Sequence, residues 1–351
     1  MPTHLVWFRA DLRVHDNIAL AAACRSQDAR VLALFIATPG QWQQHDMAPR
    51  QAAFLSAHLN DLQRSLAEKG IPLIYREVSD FAAQLLTIQE VCQQNDVTHL
   101  FYNYQYELNE RQRDRQLETL LSEVQCQGFD DSVMLAPGSV MTGSHEIYKV
   151  FTPFKNAFVK RLKEALPECV PAPSTRGDAI TDLPELTFNY PQQAFDALLF
   201  PANEKAAIAK LRQFCKQGAG DYDARRDFPA IEGTSRLSAS LALGVLSPRQ
   251  CLHRLLAEQP QALDGGSGSV WLNELIWREF YRHLMTYHPD LCKHRPFIPW
   301  TDNVKWQHDV ALLEAWQKGE TGYPIVDAAM RHLNETCLLY TSDAADEGLG
   351  V

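Results

Sequence analysis

The chain has 351 residues, 46% of them hydrophobic, and a formal net charge of −10. That length exceeds what one ordinary core organises, so two domains are expected. No apolar run reaches membrane-spanning length, and the opening Met-Pro-Thr-His-Leu-Val-Trp-Phe has no signal-peptide pattern. The eight cysteines (24, 92, 126, 169, 215, 251, 292, 337) form no Cys-x-x-Cys pair. They indicate neither a zinc cage nor a disulfide framework, and no metal site is expected. A reduced, cytoplasmic setting fits best. The acidic balance argues against a nucleic-acid partner, but its distribution matters more than its sum. Lys149, Lys155, Lys160, Arg161 and Lys163 fall in one stretch without an acid.

Short runs rich in β-branched and aromatic residues alternate with helical patterns in the first third. His4–Phe8, Val31–Ile36, Leu73–Glu77 and His99–Asn103 read as strands. Residues 17–29, 49–69, 80–95 and 109–126 read as helices, with Gly70-Ile71-Pro72 a stop signal. The rhythm predicts an α/β domain, a doubly wound parallel sheet of Rossmann-like form, over residues 1–130. Ligands of such sheets lie beyond the carboxyl ends of the strands. Tyr102-Asn-Tyr-Gln-Tyr-Glu-Leu-Asn109-Glu110 sits at such an end, where a planar heterocycle and a plain surface loop are equal readings. Arg9-Ala-Asp-Leu-Arg13 replaces the glycine loop of a dinucleotide site after the first strand, so that ligand is not expected there.

Residues 131–200 read as a connector containing one basic helix, Tyr148–Ala165. From 201 to 336 the pattern is helical throughout, an all-α domain. Within it, Gly233-Thr-Ser-Arg-Leu-Ser-Ala-Ser240 sets hydroxyls around Arg236 before an apolar run. Capping explains one or two of those groups; a phosphate cradle explains all of them. Val270–Leu284 reads as one amphipathic helix with Glu274, Trp277, Arg278 and Tyr281 on a stripe. Two aromatics, a carboxylate and a guanidinium make a poor hydrophobic seam. They make a good wall for a flat ligand with polar edges.

Four stretches occur in one order: Trp7-Phe-Arg-x-Asp-Leu-Arg-x-His-Asp-Asn17, Glu232-Gly-Thr-Ser-Arg-Leu-Ser238, Trp271-Leu-Asn-Glu-Leu-Ile-Trp-Arg-Glu-Phe280 and Thr321-Gly-Tyr-Pro-Ile-Val-Asp-Ala-Ala-Met-Arg331. Together they resemble the DNA photolyase/cryptochrome family from Leu5 to about Thr336. The match looks nearest to the folate-type cyclobutane pyrimidine dimer photolyases of enteric bacteria.

The resemblance implies light-driven repair of pyrimidine dimers in UV-damaged DNA. Reduced FAD would donate the electron, with energy passed to it from a 5,10-methenyltetrahydrofolate antenna. It implies that Tyr222, Thr234, Ser235, Arg236, Leu237 and Ser238 hold FAD, and that Trp271, Glu274, Arg278 and Tyr281 line the cavity. It implies catalytic roles for Glu274, Trp277 and Trp306: a hydrogen bond to the damaged bases, a stacking surface, and the outer end of a photoreducing tryptophan chain. It implies that Arg226, Trp277 and Arg278 meet the DNA, and that Asn109, Glu110, Cys292 and Lys293 hold the folate. A carboxyl stabilising a radical anion needs a proton to donate, so Glu274 is expected to have a raised pKa. A monomer without an obligate protein partner is expected. The other readings are a cryptochrome-like blue-light photoreceptor, a folate-binding fragment without catalysis, and the (6-4) photoproduct as lesion.

After Thr336 the family pattern stops. Cys337-Leu-Leu-Tyr-Thr-Ser-Asp-Ala-Ala-Asp-Glu347-Gly-Leu-Gly-Val351 resembles translated sequencing-adapter DNA and reads as a non-native tail. The FAD domain is therefore expected to be incomplete, the 351-residue chain inactive, and its flavin weakly held or absent.

Overall fold

The computed structural model describes residues 1–228 and 230–337; the tail reading, apart from Cys337, lies outside them. Five strands form one parallel sheet: β1 (Thr3–Phe8), β2 (Arg30–Ala37), β3 (Leu73–Glu77), β4 (Val97–Asn103) and β5 (Gln125–Phe129), ordered β3-β2-β1-β4-β5. Alternate residues of the central strands enter separate cores. Leu5, Trp7, Leu32 and Leu34 pack with Ile88, Val91 and Leu117 on one face. Val6, Phe8, Ala33 and Phe35 pack with Leu20, Leu55 and Leu59 on the other. Burial on both faces makes these runs nearly all apolar, as parallel sheets require.

The connecting helices are α1 (Ile18–Ala23), α2 (Pro39–Gln44), α3 (Pro49–Ala67), α4 (Phe81–Gln94) and α5 (Leu108–Leu120). Strand β5 corrects the sequence reading, which assigned residues 109–126 to one helix. Gln125-Cys-Gln-Gly-Phe129 carries little apolar signal, and only pairing with β4 fixes it as the edge. Gly128 fits there because a Cβ would lie 2.3 Å from the Tyr104 ring.

The second half holds α6 (Phe151–Glu164), α7 (Glu204–Gln217), α8 (Tyr222–Arg225), α9 (Ser238–Ala242), α10 (Pro248–Glu258), α11 (Ser269–Tyr287), α12 (Val310–Lys318) and α13 (Pro324–Thr336). Their core is continuous with one face of the sheet: Phe154, Phe158, Leu211, Leu237, Leu252 and Trp271 share a cluster with Val6, Phe8 and Phe35. The connector earns its order by packing: Phe188 sits against Phe35, Trp42 and Tyr75.

A polar lock joins the halves. Arg13 donates to the Gly244 carbonyl and pairs with Asp131. Arg249 of α10 reaches Asp16 and Asp131. Gly244 is essential to this approach. Its φ is +62°, and a Cβ would lie 2.1 Å from the Ala10 carbonyl oxygen. Gly244→Ala is expected to cost about 2 kcal/mol, from left-handed strain plus backbone clash. A urea midpoint unchanged from the parent would contradict this.

Candidate active site

The carboxyl ends of β1 and β4 are the switch point of the sheet, where a ligand is expected. Side chains fill it here. Arg9 donates to both Asp114 oxygens at 2.7 and 2.9 Å, and Asn103 donates to Asp11 at 2.6 Å. Tyr102 and Tyr106 are buried, and their hydroxyls donate to Glu118 and Asp130. These two tyrosines are therefore structural, which removes them from the heterocycle reading of that segment. The side chains there leave the helical half as the better place for a ligand.

Helix α11 organises that half. It starts after two left-handed glycines, Gly265 and Gly268, that turn the chain into it. Trp271 is fully buried and meets Phe214 at 5.1 Å, and Phe214 in turn meets Tyr222 at 6.1 Å. The structure thus gathers Tyr222 and Trp271 around one ring of α7. Leu237 and Ser238 are buried at the start of α9. Arg236 adopts a left-handed φ of +50° and pairs with Glu232 at 3.3 Å. Lys210 lies in its field, and burial, followed by repulsion from Arg236, lowers the ammonium pKa to about 8.

Two buried donors here lack hydrogen-bond partners among the described residues: the Ser238 hydroxyl and the Trp271 indole N–H. Buried polar atoms are normally paired, so each marks a place for an outside acceptor. Two cations and an orphan hydroxyl suit an anionic group such as a pyrophosphate. Thr234 and Ser235 complete the segment, Thr234 partly and Ser235 fully buried.

The stripe on α11 divides. Trp277 and Tyr281 are half-buried, and Trp277 lies face to face with Phe151 at 3.5 Å and 6°. Tyr281 stacks beyond it at 5.6 Å. Sequence reasoning missed Phe151. Its position at the start of the basic helix was visible; its partner was not. Glu274 is buried and accepts from Arg226 at the end of α8. Burial pulls the Arg226 pKa down, but the Glu274 carboxylate more than offsets this, and the net shift is upward. Glu274 is thus ion-paired with Arg226.

Arg278 departs from its expected place. It is 2% exposed and donates to the Ser132 carbonyl at 2.6 Å, so it faces the sheet-side junction and not a surface. Adjacent Glu279 is also buried and accepts from the Met134 N–H at 2.9 Å. Together they clamp α11 to the segment after β5, a role the sequence did not signal. Trp306 is 75% exposed and makes no ring contact among the described residues.

Of the expected folate ligands, Asn109 and Glu110 open α5, while Cys292 and Lys293 lie in a 3₁₀ turn after α11. Arg111 donates to the Thr286 carbonyl at 2.6 Å and Arg282 pairs with Glu107 at 3.2 Å, which ties those two regions together. Burial and Glu107 raise the pKa of Glu110. Part of the basic face of α6 is neutralised, Lys163 by Asp264 at 2.7 Å and Arg161 by Glu164 at 3.6 Å.

Residues 4–173 match the family described as DNA photolyase, and 271–341 match the FAD binding domain of DNA photolyase. The chain is 72% identical to the deoxyribodipyrimidine photo-lyase of Salmonella typhimurium over 338 residues, covering 96% of this chain and 72% of that protein. The chain belongs to the DNA photolyase family. The Escherichia coli photo-lyase is 70% identical, with 96% and 71% covered. Among solved structures, a Synechocystis cryptochrome superposes with a TM-score of 0.83 at 26% identity, covering 97% of this chain and 72% of that one. A class III photolyase from Agrobacterium tumefaciens gives 0.76 at 25% identity, with 97% and 70% covered. The match to the FAD binding domain of DNA photolyase supports FAD as the cofactor. No helix among the described residues is long and apolar enough to cross a membrane, and no cluster of three or more metal-ligating side chains occurs among them.

Proposed function

We propose that this chain carries the substrate face of a light-driven pyrimidine-dimer lyase acting on UV-damaged DNA, with the cyclobutane dimer as lesion. The observation that carries the reading is α11. It sets a base-sized aromatic face, Trp277, one turn from a buried carboxylate, Glu274. A base drawn from its stack loses stacking that an aromatic ring restores, and its Watson–Crick edge needs polar partners. Phe151 backs Trp277 and limits its rotation. Tyr222, Trp271 and the 234–238 segment would hold FAD, with Arg236 and Lys210 opposite its phosphates. Bound and reduced, FAD supplies the photoexcited electron; the protein positions the partners and excludes water. Glu274 and Trp277 act on the lesion, and Trp306 is proposed as an entry point for electrons. Arg226, together with Lys155 and Lys160 of α6, is proposed to meet the DNA backbone, whereas Arg278 supports α11 from behind. Asn109, Glu110, Cys292 and Lys293 are proposed to hold a folate antenna where α5 meets the end of α11. A cytoplasmic monomer is part of the same reading.

The similarity to a cryptochrome in fold supports a second reading, a blue-light receptor. Lesion binding separates the two. The decisive assay adds excess FAD and reductant to the chain with a dimer-containing oligonucleotide and illuminates it. The 351-residue chain is expected to bind the dimer-containing oligonucleotide yet give no recovery of thymine absorbance. Recovery that depends on light, flavin and Glu274 would overturn its inactivity, and equal binding of damaged and undamaged oligonucleotides would remove the repair reading.

Flavin content is a separate prediction. Val310, Leu312, Leu313, Trp316 and Ile325 of α12 and α13 are exposed apolar residues. We infer that the flavin pocket lacks one wall in this chain, and that purified protein carries FAD well below stoichiometry. Near-stoichiometric flavin absorbance would overturn that inference.

A further inference from the structure

We propose that Glu279 is a positioning residue for the α11 wall: the proton it holds or releases decides whether Arg278 binds the Ser132 carbonyl or Glu279 itself. Neither flavin nor DNA is required, so the exchange stands apart from the repair reading. Both side chains are closed to solvent, Glu279 at 0% and Arg278 at 2% exposure. Glu279 Oε2 accepts from the Met134 N–H at 2.9 Å, whereas Oε1 has no hydrogen-bond partner among the described residues. Arg278 Nη1 lies 3.7 Å from that Oε1, yet donates to the Ser132 carbonyl at 2.6 Å.

A buried carboxylate oxygen left bare beside a guanidinium is costly, and a neutral carboxyl is far less so. The observed arrangement therefore suits the protonated acid, with Arg278 serving the backbone. Ionised Glu279 draws Nη1 to about 2.8 Å, the length of a charge-assisted bond, and the Ser132 carbonyl loses its donor. Helix α11 then keeps its Glu279–Met134 tie to the segment after β5 and gives up the Arg278–Ser132 tie. Trp277 precedes Arg278 in the chain, so the exchange changes how firmly the aromatic wall is seated. The groups that face Glu279 are Arg278 and Arg282 of its own helix and Tyr106 beyond β4; Cys251 of α10 faces Arg278. Arg282 is committed to Glu107 at 3.2 Å, and Asp131 in the packed segment to Arg13 and Arg249. His283, at the Leu135 carbonyl, titrates only near 4. Burial raises the Glu279 carboxyl to about 7, with Arg278 the largest opposing influence, so the exchange falls near neutrality.

The test labels arginine with ¹⁵N in the intact chain and follows the guanidinium resonances from pH 5 to pH 8.5. Arg278→Lys identifies the Arg278 signals by their loss. In the parent these signals are expected to move between two positions with a midpoint near 7. In Glu279→Gln, which keeps the shape and cannot ionise, they are expected to hold the low-pH position throughout. Parent signals that do not move, or a titration that persists in the glutamine variant, overturn the proposal. If that variant does not fold, Glu279→Asp keeps an ionisable group with a shorter reach; its midpoint should shift, and an unshifted one overturns the proposal too. Stability gives a second readout. Folded Glu279 keeps a proton that the unfolded chain releases near 4.5, so its contribution is whole below 4.5 and lost as pH rises to about 7. The urea midpoint of Glu279→Gln is expected to rise against the parent's through that window. A difference that stays constant with pH means that Glu279 does not titrate there and removes the switch.

Discussion

Replacing Arg249 with methionine is expected to cost about 3–5 kcal/mol, the usual penalty for breaking a buried ion pair from one side. The guanidinium is 3% exposed and its donors are fully used. Nε donates to Asp16 Oδ2 at 3.1 Å, Nη1 to the Asp131 carbonyl at 2.7 Å, and Nη2 to Asp131 Oδ1 at 2.8 Å. Burial alone raises the pKa of Asp131, but Arg13 and Arg249 more than offset it, and the net shift is downward. Methionine fills the space yet leaves Asp16 without its cation and Asp131 with Arg13 only. Lysine keeps the charge and loses the fork, so Arg249→Lys should fall between parent and methionine variant. Urea midpoints measure both. A methionine variant within 1 kcal/mol of the parent would show that the lock between the halves is dispensable. The lock bears on function because the two folate-site regions proposed above lie on opposite sides of that junction.

Acid sensitivity is the second large effect. His58 is 1% exposed, and neither ring nitrogen has a hydrogen-bond partner among the described residues. Burial lowers its pKa to about 4 from 6.5. His283 is likewise pushed down to about 4 by burial, although its ring nitrogen lies 3.1 Å from the Leu135 carbonyl oxygen. Both folded pKa values lie below the unfolded ones. The stabilising contribution is complete above pH 6.5. It is lost as pH falls toward 4, because the unfolded chain takes protons that the folded chain refuses. Each histidine then accounts for about 3 kcal/mol by pH 4. Glu279 acts in the opposite sense, since burial raises its carboxyl to about 7 and protonation below that relieves it. The difference between His58→Leu and the parent isolates one histidine from these other groups. The variant should be more stable by about 1–2 kcal/mol at pH 8, where it removes two unpaired buried nitrogens. The margin should widen by about 3 kcal/mol toward pH 4. A margin independent of pH would mean that His58 takes up a proton without leaving the fold.

How much of this was legible beforehand differs by element. The strands at 4–8, 31–36, 73–77 and 99–103 were plain because burial on both faces demands continuous apolar runs, and that demand is written locally. Helix α11 was plain from its stripe. The family followed from four long motifs in order. Strand β5 was not legible: Gln125–Phe129 is an edge, and an edge is defined by the neighbour it pairs with.

The sequence by itself determined the two-part architecture, the chemistry available on α11, and which residue types could meet a flavin or a base. Those are properties of local periodicity and of residue type. The tertiary structure decided which of those groups face one another. It turned Arg278 inward to Ser132, set Phe151 on Trp277, and joined Arg226 to Glu274 across 48 residues of sequence. Charge and ring type are written in each residue. The partner that satisfies a buried charge or covers a ring comes from a distant segment, and only packing brings it there.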